Sequence, residues 1–258
     1  MVLIPKIIHQ IWLGNNPMPN EWIDTVKKFA AKFGYEYKMW TETSVSAELG
    51  MEEFPSIHAM YTTSMNELAG KADIIRLVAL YKYGGIYIDA DSVVMKPNKL
   101  NAFFNKNKAA VFFGWEELSR ARSRKLNMTS PDGTPMKRLI ANGLIGSVAK
   151  HPFIKCLLDA LSAKGANTNT TSGAWKVTGP LFVTQVYNKH KAEFPDVHIY
   201  PMKLFYPIHW GGIKDPELHK KIKIPSQSML FQYGYSTNGF ADIFHKKNQT
   251  RRARRVLA

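Results

Sequence analysis

Two carboxylates one residue apart, Asp89 and Asp91, follow a double glycine, Gly84-Gly85, and the run Ile86-Tyr-Ile88. β-Branched and aromatic residues after Gly-Gly predict a short strand, whose period-two alternation sends both aspartates to one side. Two carboxylates facing one way attract a hard cation. Oxygen-only ligands favour Mg2+ or Mn2+, which is commonly held by one or two carboxylates plus the phosphates of a substrate rather than by a closed protein cage. The pair therefore reads as a metal–diphosphate site. Upstream, Asp73 and Arg76 lie three apart in a helical pattern, share a face, and can pair or converge on one polar ligand.

The elements that must position these groups alternate along the chain. A strand is predicted at Lys6 to Trp12, a helix at Asn20 to Phe33, a strand at Glu36 to Trp40 and helical pieces through Tyr61. Such alternation implies an α/β fold, a sheet with parallel strands and helices packed on it. Ser64-Met-Asn-Glu67 reads as a capping box opening a helix with Ala69, Ala72, Ile75 and Ala79 on its buried stripe, ended by Gly84-Gly85. Strands follow at Ser92 to Met95 and Ala110 to Trp115, then a polar, basic stretch from Glu116 to Arg138 that reads as a mobile loop with a turn at Ser130 to Thr134. Asn142-Gly-Leu-Ile-Gly-Ser147 reads as a short strand, and His151-Pro152 opens a helix. A Gly/Thr/Asn-rich link from Gly165 to Gly173 precedes Thr178-Gly-Pro180 at the next helix start. Val197 to Tyr206 and Pro207-Ile-His-Trp210 are strand-like and aromatic, able to return a histidine to the sheet edge.

At 258 residues and 45% hydrophobic content the chain can bury a full core, and we read one domain over residues 1–245 with a basic tail over 246–258. A single cysteine, Cys156, sits in an apolar helical pattern, excludes an intrachain disulfide framework and suits a reducing compartment. The apolar start is interrupted by Pro5, Lys6, His9 and Gln10 and reads as a strand rather than a signal peptide. No run reaches the roughly 18 to 20 apolar residues of a membrane span. The sequons at Asn127, Asn169 and Asn248 then read as chance. A net charge of +15, from 35 basic against 20 acidic residues, calls for an anionic partner and is concentrated in the tail. That tail suits an anionic membrane surface, a nucleic acid or plain solvation.

Ile7-Ile-His-Gln-Ile-Trp12, Ala72-Asp-Ile-Ile-Arg76, Gly84-Gly-Ile-Tyr-Ile-Asp-Ala-Asp91 and Asn142-Gly-Leu-Ile-Gly-Ser147, in this order, resemble glycosyltransferase family 32, whose members carry a DXD motif. The resemblance covers about residues 4 to 212 and extends to the clostridial glucosylating toxins. It implies a GT-A fold with a Rossmann-like mixed, mostly parallel sheet flanked by helices. It also implies Mn2+ (or Mg2+), a nucleotide-diphosphate sugar donor such as a UDP- or GDP-sugar, a glycan, glycolipid or protein acceptor, and transfer of a hexose with retention of configuration. Carried over, Trp12 stacks on the nucleobase, Asp73 and Arg76 hold donor-sugar hydroxyls, and Asn142 sits beside the transferred sugar. Asp89 meets the ribose, the sugar or a metal-bound water, and Asp91 ligates the metal. His9, Tyr87 and Gly179 join the donor-binding residues, although His9 by itself reads as an interior or strand-edge histidine.

His209 is the candidate that completes the metal set with Asp89 and Asp91. The family's Ser-Trp after a His-rich segment is missing here, which leaves His245 and the segment Tyr233 to Gly239 open as alternatives. Glu116 and Glu117 are acceptor-side candidates, since a retaining enzyme needs no protein base when a donor phosphate oxygen takes the proton. The expected localisation is cytoplasmic, or peripheral on the cytoplasmic membrane face through the tail, in a bacterial or viral source. The rival reading is a haloacid-dehalogenase-type phosphatase with Asp89 as nucleophile and Asp91 as acid/base. Against it, the motif stands far into the chain, behind a tryptophan-bearing strand, with no later Lys and Asp-Asp pair. A nucleic-acid-binding reading rests on charge alone and explains none of the carboxylates, so no specific nucleic acid is expected.

Overall fold

The alternating signals resolve, in a computed structural model described for residues 3–118, 123–124, 128–129, 133–165, 173–209, 211 and 213–247, into a sheet covered on both faces. The elements are β1 (Ile7–Ile11), α1 (Asn20–Phe33), β2 (Glu36–Trp40), short helical turns between residues 42 and 64, α2 (Leu68–Tyr83), β3 (Gly85–Ile88) and β4 (Ser92–Val94). Then follow α3 (Pro97–Lys106), β5 (Val111–Glu117), β6 (Arg138–Ser147), α4 (Pro152–Lys164), α5 (Ala174–Val177), α6 (Pro180–His190), β7 (Val197–Tyr200) and β8 (Leu230–Gln232). The six-stranded sheet has the order β2-β1-β3-β6-β5-β7, and β4 pairs with β8 separately. Only β6 runs against its sheet neighbours; β1 is parallel to β2 and β3, and β5 is parallel to β7.

Strand alternation divides the core. In β5, Val111 and Phe113 join the cluster built with α2, α4 and α6, while Phe112 joins the cluster with Val26 and Phe29 of α1 and Leu100 of α3. In β3, Tyr87 goes to the first cluster and Ile86 and Ile88 to the second. Ordering the β3 backbone depends on the glycine pair. Gly84 and Gly85 have φ of 64° and 100°, and a Cβ on Gly85 would lie 2.6 Å from the Ile7 carbonyl oxygen.

Several boundaries differ from expectation. The Ser64–Glu67 capping box does not form: Ser64 ends a one-turn π-helix, and Glu67 caps α2 by position without a side-chain bond to it. Its carboxylate instead accepts the Ala174 N–H at 3.0 Å. Helix α2 is buried all round from Asp73 to Leu80 rather than along a stripe, and Ala69 is exposed. β5 continues to Glu117, so both glutamates belong to a strand, and β6 is ten residues long. The strand expected to reach Tyr206 stops at Tyr200, because Pro201 leads into a 3-10 turn at Met202–Leu204. The tail from 248, most of the Ser130–Thr134 turn, most of the Gly165–Gly173 link and the three sequon asparagines lie outside the described residues. Among the described residues, no helix is long and apolar enough to cross a membrane.

His9, expected among the donor-binding residues, belongs to the core. It is fully buried, Nε2 donates to the Gly84 carbonyl at 2.8 Å and Nδ1 accepts from Trp40 Nε1 at 3.1 Å, so both nitrogens of the neutral ring are satisfied. Burial pushes its pKa from 6.5 down to about 4. The unfolded chain thus takes up a proton before the folded one does. Stability from this group is complete above pH 6.5 and is lost as pH falls toward about 4, a loss of about 3 kcal/mol. By urea unfolding, the wild type should lose about 2 to 3 kcal/mol more stability than His9→Gln between pH 7 and pH 4.5, since the other titrating groups are common to both.

Candidate functional site

The residues singled out by chemistry converge at the C-terminal end of β3, in a cavity of about 530 Å3. Asp89 and Asp91 lie on the turn between β3 and β4 rather than within a strand. They converge through turn geometry: the Ser92 N–H donates to the Asp89 carbonyl at 3.0 Å, and both side chains line the cavity. Helix α2 delivers Asp73 and Arg76 from one side and β6 delivers Asn142.

Arg76 ties these groups together. Nη2 lies 3.2 Å from Asp73 Oδ1 and 3.5 Å from Asp89 Oδ1, and Nη1 donates to the Asn142 carbonyl at 2.5 Å. Its guanidinium stacks 4.3 Å from the centre of the Tyr87 ring, while the Tyr87 hydroxyl donates to Asp89 Oδ1 at 2.5 Å. Asp73 also accepts from Asn142 Nδ2 at 2.8 Å and Thr178 Oγ1 at 2.7 Å. Burial raises the Asp73 pKa to about 6 despite the opposing Arg76 charge. Burial, and next the negative charge of Asp89, also raise the Asp91 pKa.

The C-terminal segment closes the other side. β8 pairs with β4, which brings Gln232 Nε2 to donate to Asp89 Oδ2 at 2.5 Å and the Tyr235 N–H to donate to Asp91 Oδ2 at 2.7 Å. The second oxygen of Asp91, Oδ1, is buried with no hydrogen-bond partner among the described residues. A buried anionic oxygen in that state is costly unless something pairs with it. A hard divalent cation would fit it, held by Asp91 with Asp89 beside it.

The expected third ligand is not gathered there. Among the described residues no trio of His, Cys, Asp or Glu forms a metal cage, and His209 Nε2 lies 3.0 Å from Glu116 Oε1 on β5. Of the alternatives, the segment from Tyr233 reaches Asp91, but through a backbone N–H. Trp12 lines the cavity, with its ring edge-on to Tyr235 at 5.0 Å. Gly179 lies just behind the lining: its N–H donates to the Ala174 carbonyl at 2.9 Å, and a Cβ there would be 3.2 Å from Asp73 Oδ2. It leaves room chiefly for the Trp175 backbone, whose Cα would be 2.8 Å from such a Cβ, and for the Asp73 carboxylate. Glu116 lines the cavity, whereas Glu117 points outward, as alternation along β5 requires. Sequence reasoning missed Gln232 and Gly143. A Cβ on Gly143 would lie 2.6 Å from Asp89 Oδ2, so this glycine makes the room in which Asp89 and Gln232 meet.

Comparison with known proteins agrees with this arrangement. Residues 19–109 match the glycosyltransferase sugar-binding region containing the DXD motif. The chain is 28% identical over 220 residues to inositol phosphoceramide mannosyltransferase 3 of Schizosaccharomyces pombe, covering 84% of this chain and 52% of that protein. It is 30% identical over 194 residues to mannosyl phosphorylinositol ceramide synthase CSH1 of Saccharomyces cerevisiae, covering 73% of this chain and 44% of that protein. The chain thus spans about half the length of these curated relatives. In fold it is similar to the glycosyltransferase domain of the YGT toxin, with a TM-score of 0.52, 11% identity and coverage of 77% of this chain and 80% of that one.

The buried charges generate a stability prediction. Arg76→Met strands Asp73 and Asp89 without their cation and should cost about 3 to 5 kcal/mol in guanidinium unfolding. Adding Asp73→Asn should recover part of that loss, giving a non-additive double-mutant cycle; simple additivity would mean that the two residues are not coupled.

Proposed function

This chain belongs to the DXD-motif glycosyltransferases, and from that premise we propose that it transfers a hexose from a nucleotide-diphosphate sugar to a hydroxyl of a glycan or glycolipid, with a divalent cation and with retention of configuration. The observation that carries the reading is the buried Oδ1 of Asp91, without a hydrogen-bond partner among the described residues, beside Asp89 in a cavity that also holds Asp73, Arg76 and Asn142. The printed names of the relatives make mannose the first sugar to test.

In this reading Asp91 and Asp89 would hold Mn2+ or Mg2+, which would supply positive charge against the negative charge building on the departing diphosphate. Trp12 offers its ring to the base, a contact worth about 1 to 3 kcal/mol. Asp73 and Arg76 orient the donor sugar's hydroxyls. Their buried bonds to Asn142 and Thr178 fix them before the substrate arrives, so little is lost in ordering them. The acceptor hydroxyl attacks from the face that the diphosphate leaves, and its proton passes to a phosphate oxygen of the leaving group. No protein base is then required.

The phosphatase alternative loses ground on the same geometry. Asp89, its nucleophile, accepts hydrogen bonds on both oxygens, from Tyr87 and Gln232, and lies near Arg76; these contacts hold a carboxylate still and reduce its reactivity.

Hydrolysis and thermal shift with GDP-mannose, UDP-glucose and UDP-galactose, each with Mn2+, Mg2+ or EDTA, test the proposal. One donor should stabilise the protein and be slowly hydrolysed only with the cation, and Asp91→Asn should slow that by about 100-fold or more. Inert nucleotide sugars alongside cleavage of p-nitrophenyl phosphate would overturn the reading in favour of a phosphatase.

A further inference from the structure

The cavity has a second polar feature that the donor reading leaves unused. Glu116 is 7% exposed and lines the cavity from β5, in register with Leu139 of β6. Asp89 hydrogen-bonds to Gly143 of β6 from the opposite side, through its N–H to the Gly143 carbonyl at 2.8 Å. The backbones of the two residues are therefore two strand spacings apart across the sheet, about 10 Å, and four residues apart along β6, about 13 Å. Asn142 of β6 lies between them along the strand and also lines the cavity. Glu116 thus stands at the end of the cavity away from the Asp89–Asp91 turn, the end left for an acceptor when the donor occupies the aspartates.

The surroundings of Glu116 differ from those of the aspartates. Leu118, Leu139 and Met128 line the cavity around it, an apolar wall suited to the C–H faces of a ring. A carboxylate buried in such a wall is costly unless its charge is answered. His209 answers it on one oxygen. The Gly211 N–H donates to His209 Nδ1 at 3.0 Å, which fixes the tautomer with Nε2–H directed at Glu116 Oε1, 3.0 Å away. His209 thus holds the carboxylate in one orientation.

We infer that Glu116 is the acceptor-binding carboxylate of this cavity, taking a hydrogen bond from a hydroxyl of a neutral polyol ring whose C–H face packs on Leu118 and Leu139, with His209 as its positioning residue. A phosphate or carboxylate at that place would be repelled by Glu116, so the part of the acceptor that enters here is uncharged. This inference rests on the transferase reading, with which its test must not be confused.

The experiment uses whichever donor the wild-type protein hydrolyses, offered with a panel of neutral probes: myo-inositol and the methyl glycosides of mannose, glucose and galactose. Transfer to the probe and transfer to water are measured in the same reaction. In Glu116→Gln the ratio of transfer to hydrolysis should fall by about tenfold or more, with a raised acceptor KM. His209→Ala should lower the same ratio, and His209→Gln, whose amide can still donate to Glu116, should restore much of it. The ratio is insensitive to partial unfolding, which lowers both products together. An unchanged ratio in Glu116→Gln, or transfer to none of the probes by wild-type protein that hydrolyses the donor, would overturn the inference while leaving the transferase reading intact. Absence of any donor hydrolysis by the wild type would count against the transferase reading instead.

Discussion

One buried cation, Arg76, lets three aspartates share a cavity. Its guanidinium spans Asp73 and Asp89, donates to the backbone of β6 through the Asn142 carbonyl and stacks on Tyr87 of β3, so helix and sheet are joined at one group. One positive charge cannot balance Asp73, Asp89 and Asp91. Part of the excess is relieved by burial, which moves the Asp73 and Asp91 pKa values upward, but the arrangement still favours an incoming cation. The imbalance belongs to the fold, because α2 is buried around Arg76 and the β3–β4 turn is fixed on both sides.

The second fixing side comes from the far end of the chain. β8 reaches back to β4, and the residues around it present Gln232 to Asp89 and the Tyr235 N–H to Asp91. Each aspartate thereby has one oxygen committed to the C-terminal segment. Among the described residues Asp91 keeps one buried oxygen without a hydrogen-bond partner, the asymmetry on which its proposed role rests. The rest of the cavity changes character along β6, from the charged end by Gly143 to the apolar wall by Leu139.

Much of this was legible in the sequence wherever the signal was local. The periodicity of Asn20 to Phe33 and the run Glu36 to Trp40 became α1 and β2 with those bounds, and the Gly84-Gly85 break is required by positive φ. Asp73, Arg76, Asp89 and Asp91 were found by type and spacing, Asn142 and Trp12 through the family resemblance, and all line one cavity. What stayed hidden depends on distant pairing. Glu67 looked like half of a capping box, yet its partner is the Ala174 N–H, 107 positions away. Gln232 sits in a three-residue strand with no motif around it, and its role exists only because β8 meets β4. His209 looked like a metal ligand because histidines are, while the alternation of β5 that turns Glu116 inward supplies its actual partner.

The most direct measurement is electron paramagnetic resonance of free Mn2+ titrated with the protein in the presence of GDP or UDP. With one of the nucleotides the free-ion signal should disappear as wild-type protein is added, and Asp91→Asn should leave it in solution at the same concentrations. Mn2+ bound as tightly by Asp91→Asn as by the wild type, or by neither with either nucleotide, would contradict a cation site at Asp91.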